Sequence, residues 1–208
     1  MGAFHTLDIY LVRHGLTKWN VDKRYLGHTD IPLLLVERNK LNPLREVLKN
    51  IMFDYCYSSD LKRCVETFHY IQPQKHVCVD ARLRELNFGN WEGFTYETLK
   101  DDSSYQEWLS DSVKKAPPNG ESLYQLIDRI TDFLSDLQSI KFTSPNKKIL
   151  IITHGGVIRS LFQMFGLAKS IWEVNVEHAK AYRLTLQEIR GEWVCSSLSV
   201  EPIQENEI

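Results

Sequence analysis

Two apolar runs that break at the same pair of residues constrain this chain most. Leu7-Asp8-Ile9-Tyr10-Leu11-Val12 stops at Arg13-His14-Gly15, and Ile149-Leu150-Ile151-Ile152 stops at Thr153-His154-Gly155-Gly156. Such runs read as buried strands, and in open α/β sheets ligands gather outside the carboxyl ends of the strands. One such ending, taken alone, is an ordinary turn. If both runs are parallel strands of one sheet, His14 and His154 emerge at the same edge. Two imidazoles facing one cleft do not serve as core filler.

The rest of the chain supplies helices and further strands around that pair. Leu41, Leu44, Val47, Leu48 and Ile51 recur at helical spacing, which predicts an amphipathic helix over roughly residues 33–51. Phe53 to Tyr57 reads as a short strand, followed by a helix for which Ser59 or Asp60 is the expected N-cap. That cap puts Arg63 in the first helical turn, where a cation opposes the helix macrodipole and an arriving anion would relieve it. His76 to Val79 reads as another strand. The segment from Asp80 to Gly93 is dense in glycine, aromatics and charge without a period, so it is expected to be an irregular working loop, with Glu85 and Glu92 as candidate acids.

Between Phe94 and Trp108 the aromatics Tyr96, Tyr105 and Trp108 predict a small helical cap with its own core. Pro117-Pro118-Asn119-Gly120 breaks the chain. A long helix carrying Leu123, Leu126, Ile130, Phe133 and Leu137 follows, then the second His-Gly strand. Ala181 to Leu186 and Trp193 to Leu198, turning at Arg190-Gly191, predict an edge hairpin, and the tail from Pro202 is polar and acidic. The expected organisation is one α/β domain over 1–208, with a mostly parallel sheet, an antiparallel edge and a cap insertion at about 87–120.

Composition narrows the function. A chain of 208 residues with net charge −2 has no general cationic field, so nucleic acid and anionic membrane are not expected partners. No apolar run approaches the ~20 residues of a membrane span, and the N-terminus lacks the layout of a secretory signal. Met1-Gly2-Ala3-Phe4-His5-Thr6 fits the loose myristoylation pattern only by coincidence, since no second anchoring signal accompanies it. Four cysteines without a CxxC pair suggest neither a zinc site nor a disulfide framework, and the expected location is the cytoplasm.

Arg13, His14, Arg63 and His154, with Glu85 from the irregular loop, would make a compact positive pocket whose natural guest is a phosphoryl group. Enzymatic phosphate-monoester hydrolysis approaches ~10²¹-fold acceleration, roughly 28 kcal/mol, so several cations, a covalent step and an acid must act together. HxH, HExxH, P-loop and GxSxG patterns are all absent. No metal and no cofactor is expected, and an imidazole is left as the nucleophile.

These residues resemble the histidine phosphatase superfamily. The match runs in order through Leu11-Val12-Arg13-His14-Gly15-Leu16-Thr17-Lys18-Trp19-Asn20, Ser58-Ser59-Asp60-Leu61-Lys62-Arg63, Leu83-Arg84-Glu85, Phe88-Gly89-Asn90-Trp91-Glu92-Gly93, Gly120-Glu121-Ser122 and Thr153-His154-Gly155-Gly156-Val157-Ile158-Arg159. Within the superfamily the chain is similar to the phosphoglycerate-mutase-like branch, near the α-ribazole phosphatases and broad-specificity phosphatases. The resemblance implies a three-layer αβα sandwich and a small phosphorylated substrate, α-ribazole 5'-phosphate being one. It implies His14 as the residue that becomes phosphohistidine, with Arg13, Arg63 and His154 gripping the transferring oxygens. Asn20 and the backbone near Leu26, Gly27 and Gly155 would add substrate contacts. Glu85 would protonate the leaving alkoxide and then deprotonate water, while Glu92 would be structural. Leu16, Glu37 and Glu66 depart from the family pattern, which blurs the subfamily without touching the five central groups. The rival readings are a cofactor-dependent phosphoglycerate mutase, disfavoured by the short segment from Phe94 to Pro118, and an inactive phosphate-ester-binding module, disfavoured by retention of all five groups. Oligomeric state is not legible.

Overall fold

A computed structural model describes residues 6–140 and 146–202. In chain order the elements are β1 (Thr6–Arg13), α1 (Lys18–Val21), α2 (Asn42–Leu48), β2 (Tyr55–Ser58), α3 (Lys62–Ile71), β3 (Cys78–Val79), α4 (Tyr96–Leu99), α5 (Ser103–Ser110), α6 (Leu123–Ser139), β4 (Asn146–Thr153), α7 (Gly155–Met164), β5 (Ala181–Ile189) and β6 (Glu192–Glu201). The myristoylation-like opening up to His5 and the acidic tail past Pro202 lie outside the described residues.

The strands form one six-stranded sheet in the order β3-β2-β4-β1-β5-β6. β1 pairs parallel with β4, as do β2 with β4 and β2 with β3, whereas β5 runs antiparallel to both β1 and β6. This is the mostly parallel sheet with an antiparallel edge that the sequence pattern predicts. Because side chains alternate across a strand, Leu7, Ile9 and Leu11 of β1 enter one apolar cluster, with Ile149 and Ile151 of β4, α6 and α7. Tyr10 and Val12 enter the other, with Leu150, Ile152, α2 and α3. A strand buried on both faces must be apolar at nearly every position, which explains the continuous runs. The polar exception, Asp8, is bonded to Arg183 at 2.7 Å and to Thr185 at 2.8 Å on β5.

Three local expectations needed correction. The helix over 33–51 is a 3₁₀ stretch (Leu35–Leu41) leading into the shorter α2, because Pro43 favours a helix start and clashes with a continuous helix before it. The expected cap at Ser59 or Asp60 is not made in the ordinary way. The N-cap position is Leu61 without a side-chain bond. Asp60 is drawn off to Arg84, and Asp30, a residue of the distant loop, accepts from the backbone N–H of Lys62 at 2.7 Å. The cap, built from α4 and α5 with Asp102 capping the second by accepting from the Tyr105 N–H, has no core of its own. Tyr105 and Trp108 are buried in the cluster that also holds α6, whereas Tyr96 is exposed.

Arg129 on α6 holds the irregular segment in place. Its guanidinium donates to the carbonyls of Arg82, Arg84 and Glu85 at 2.6, 2.7 and 2.8 Å, and to both carboxylate oxygens of Glu121. Buried carbonyls outside regular structure need such donors. Arg129→Met is expected to cost about 3 kcal/mol, because Glu121 and several carbonyls lose their partner together. Denaturant midpoints measure it, and a loss under about 1 kcal/mol would show that the clamp is dispensable.

Candidate active site

The site forms where the parallel ladders end. Arg13 lies opposite Thr153, and one residue further the His14 N–H donates to the Thr153 carbonyl at 3.0 Å. That bond carries the β1 to β4 pairing out to the two histidines, whose ring centroids lie 5.1 Å apart. On the other side of β4 the N–H of Ser59 donates to the Ile152 carbonyl. The chain then enters α3, and Arg63 arrives in its first turn.

Each group's protonation follows from its partners. His14 Nδ1 lies 2.7 Å from the Gly15 carbonyl oxygen, which only accepts, so Nδ1 carries the proton and Nε2 keeps its lone pair. Burial, reinforced by the nearby charges of Arg63 and Arg13, holds the His14 pKa well below the usual imidazole value. The ring is therefore neutral at pH 7, with its unprotonated nitrogen available as a nucleophile. Arg63 Nε donates to His154 Nδ1 at 3.3 Å, which leaves the His154 proton on Nε2. Burial and Arg63 hold the His154 pKa down as well.

The two arginines are anchored but keep donors free. Arg63 is fully buried and gives one N–H each to the Thr29 carbonyl at 3.0 Å, the Gly27 carbonyl at 2.6 Å and His154, leaving one N–H on each terminal nitrogen. Arg13 donates from Nη1 to the Val176 carbonyl at 2.6 Å, and its buried Nε has no partner. An orphaned cationic donor beside a neutral imidazole is a place for an anionic oxygen. Burial pulls both guanidinium pKa values down from their ordinary level.

Glu85 projects from the loop that Arg129 clamps. Its carboxyl oxygens accept from the Gly156 N–H, at 3.0 and 3.1 Å, and from the Leu86 N–H at 2.9 Å. A Cβ at Gly156 would sit 2.2 Å from Glu85 Oε1, so a side chain there would push this carboxyl out of its place. Glu92 accepts from the backbone N–H groups of His28 at 2.7 Å and Thr29 at 2.6 Å, tying down the loop that presents Gly27 and Thr29 to Arg63. Leu26 and Gly27 are buried, and Gly27 contributes its carbonyl to Arg63. Gly155 packs against the Arg13 guanidinium, with 3.4 Å between its hypothetical Cβ and Arg13 Nε. Asn20 has its carboxamide oxygen engaged in the capping box of α1, where it accepts from Thr17.

Three residues at the centre were not anticipated from the sequence. His178 donates from Nδ1 to the His14 carbonyl at 2.7 Å, with its ring 5.2 Å from that of His14. Burial and Arg13 hold its pKa down at about 4. Thr67 accepts from the Gly15 N–H at 2.9 Å and donates to the Arg63 carbonyl at 2.6 Å. Cys64 is a buried thiol whose Sγ is 3.4 Å from His154 Nε2, and burial raises its pKa strongly. The one available signal was position, since Thr67 lies one helical turn after Arg63. His178 sits in an irregular stretch with no pattern to read.

The architecture matches α/β phosphatases of known structure. An α-ribazole phosphatase from Shigella flexneri superposes with a TM-score of 0.77 at 27% identity, covering 92% of this chain and 95% of that one. The chain belongs to the histidine phosphatase superfamily, branch 1, whose family model matches residues 9–199. Among its relatives, phosphoglycerate mutase-like protein 4 of Arabidopsis thaliana is 36% identical over 75% of this chain and 70% of that protein. An adenosylcobalamin/alpha-ribazole phosphatase of Salmonella typhimurium is 31% identical over 82% of this chain and 86% of its own.

Four histidines with depressed pKa values, His14, His28, His154 and His178, make stability pH-dependent. In the unfolded chain an imidazole takes up its proton as the pH falls through about 6.5, whereas native His178 stays neutral until about pH 4. Stability therefore falls as the pH drops from about 6.5 towards 4. His178→Asn is expected to reduce the slope of stability against pH near pH 5 by up to about 1.4 kcal/mol per pH unit. Denaturation at a series of pH values measures this, and an unchanged slope would mean that native His178 already carries its proton. Separately, Gly156→Ala is expected to displace the Glu85 carboxyl from the Gly156 and Leu86 N–H groups, which a crystal structure of the variant would show, and an unmoved carboxyl would contradict it.

Proposed function

We propose that this protein is a phosphomonoester hydrolase working through a phosphohistidine. The observation that carries the proposal is the pairing of a neutral His14, whose proton is fixed on Nδ1 by the Gly15 carbonyl, with the unpartnered Nε of Arg13. His14 Nε2 attacks phosphorus while the ester P–O bond breaks. The free N–H groups of Arg13 and Arg63, with the Nε2 proton of His154, hold the oxygens on which charge gathers. Glu85 gives its proton to the departing alkoxide and, now a carboxylate, takes one from the water that attacks the phosphohistidine. The P–N bond breaks, inorganic phosphate leaves and His14 regains its lone pair. Asn20 and the backbone of Leu26, Gly27 and Gly155 border the bound phosphoryl group. The segment 87–120 acts as the cap over the leaving group.

The substrate is a small phosphorylated metabolite. Relatives named as α-ribazole phosphatases make α-ribazole 5'-phosphate the first ester to assay. A relative named as mutase-like supports a second reading, in which the phosphoryl group returns to substrate, as in a cofactor-dependent phosphoglycerate mutase. Supplying 3-phosphoglycerate with bisphosphoglycerate separates the two, since hydrolysis yields free phosphate and transfer yields an isomer.

Para-nitrophenyl phosphate tests the mechanism. His14→Ala is expected to lose turnover by about 10³-fold or more, together with the acid-labile phosphoenzyme. Glu85→Gln is expected to slow alkyl esters far more than aryl esters, because only the poor leaving groups need its proton. Equal losses on both would remove Glu85 from the acid role, and a phosphoenzyme surviving His14→Ala would place the nucleophile elsewhere.

A further inference from the structure

A pocket of about 210 Å³ opens beside Glu85 and Gly156. Resting on the phosphatase reading, this is where the leaving group must sit, because Glu85 has to reach the ester oxygen. Its walls are mostly apolar, with Phe88, Trp108, Leu123 and Ile171 among the lining residues, but Arg159 also lines it. Arg159 is the one basic residue among those lining side chains, and it forms no ion pair among the described residues. Its Nε donates to the Val174 carbonyl at 3.0 Å, which holds the base of the guanidinium, and the terminal nitrogens have no hydrogen-bond partner among the described residues. The buried indole N–H of Trp108, on the same pocket, also lacks an acceptor.

A guanidinium fixed at its base, bordered by apolar side chains and left with unused donors, is built to receive an anion that offers it two oxygens. It is not needed for the transferring phosphoryl group, which already has Arg13, Arg63 and His154. Placing it there also costs the site, since its charge opposes that of Arg13 and helps pull the Arg13 pKa down. A second negative charge on the substrate relieves that repulsion. We infer that Arg159 is a specificity-determining residue, and that the preferred substrate is an ester of an alcohol with an apolar body and a second anionic group, carboxylate or phosphoryl. The apolar walls take the body, and Arg159 takes the distal charge. An alcohol without that charge leaves the guanidinium desolvated and unpaired.

The test uses binding, so that it stands apart from turnover. Wild-type protein is titrated calorimetrically with 3-carboxybenzylphosphonate and with its carboxamide, which has the same shape but no distal charge. A third ligand, 3-phosphonobenzylphosphonate, tells a phosphoryl preference from a carboxylate preference. The expected result is at least about tenfold tighter binding of an anionic ligand than of the amide. That ratio is expected to fall to within about twofold in Arg159→Met and to be partly kept in Arg159→Lys. Equal binding of all three ligands to the wild type, or a preference that survives Arg159→Met, overturns the inference. A preference that behaves as expected alongside no hydrolysis of the matching phosphate esters would overturn the phosphatase reading instead and leave the anion site standing.

Discussion

The hydrogen bond from the His14 N–H to the Thr153 carbonyl extends the β1 to β4 ladder one residue past the last paired strand positions. Because the two strands run parallel, their carboxyl ends coincide, and this bond fixes how far His14 can stray from His154. An antiparallel pairing would send the two His-Gly turns to opposite ends of the sheet. Every feature of the site assumes the parallel register. Arg63 enters from β2, which pairs with the other side of β4, and Glu85 reaches Gly156 at the start of α7, the helix that follows β4 directly.

Around that ladder, positive charge is concentrated in a place that water hardly reaches. Arg63 and His154 are fully buried and His14 nearly so. Desolvation then has opposite uses for the two residue types. It drives the histidines neutral, which gives His14 a free lone pair at physiological pH. The guanidiniums stay charged because their intrinsic basicity is far higher, so the same burial makes their field strong where an anion would sit. The protein satisfies part of each guanidinium with carbonyls of Gly27, Thr29 and Val176. These contacts fix orientation and leave the remaining donors for a ligand.

The sequence disclosed the parts of this arrangement that depend on pattern. Runs buried on both faces and the repeated His-Gly ending located both strands and both histidines, and the breaker cluster at Pro117-Pro118 located the start of α6. Contacts between segments distant in the chain were not legible. Nothing local shows that Asp30 caps α3, that Arg129 clamps the loop bearing Glu85, or that His178 steadies His14 across 164 residues of chain. Asp60 illustrates the physical reason. Its local preference to cap a helix is overridden by a bidentate ion pair with Arg84, because two parallel bonds between opposite full charges outweigh the one backbone bond a cap offers. Local rules lose where a charged partner arrives from elsewhere in the chain.

The proposed chemistry depends on the protonation state of one ring, and nitrogen chemical shifts of isotope-labelled histidine read that state directly. At neutral pH His14 is expected to show a pyrrole-like Nδ1 and a pyridine-like Nε2, with no change as the pH is lowered through the range where a free imidazole titrates. A doubly protonated ring, or the proton residing on Nε2, would leave the site without a nucleophile and contradict the account.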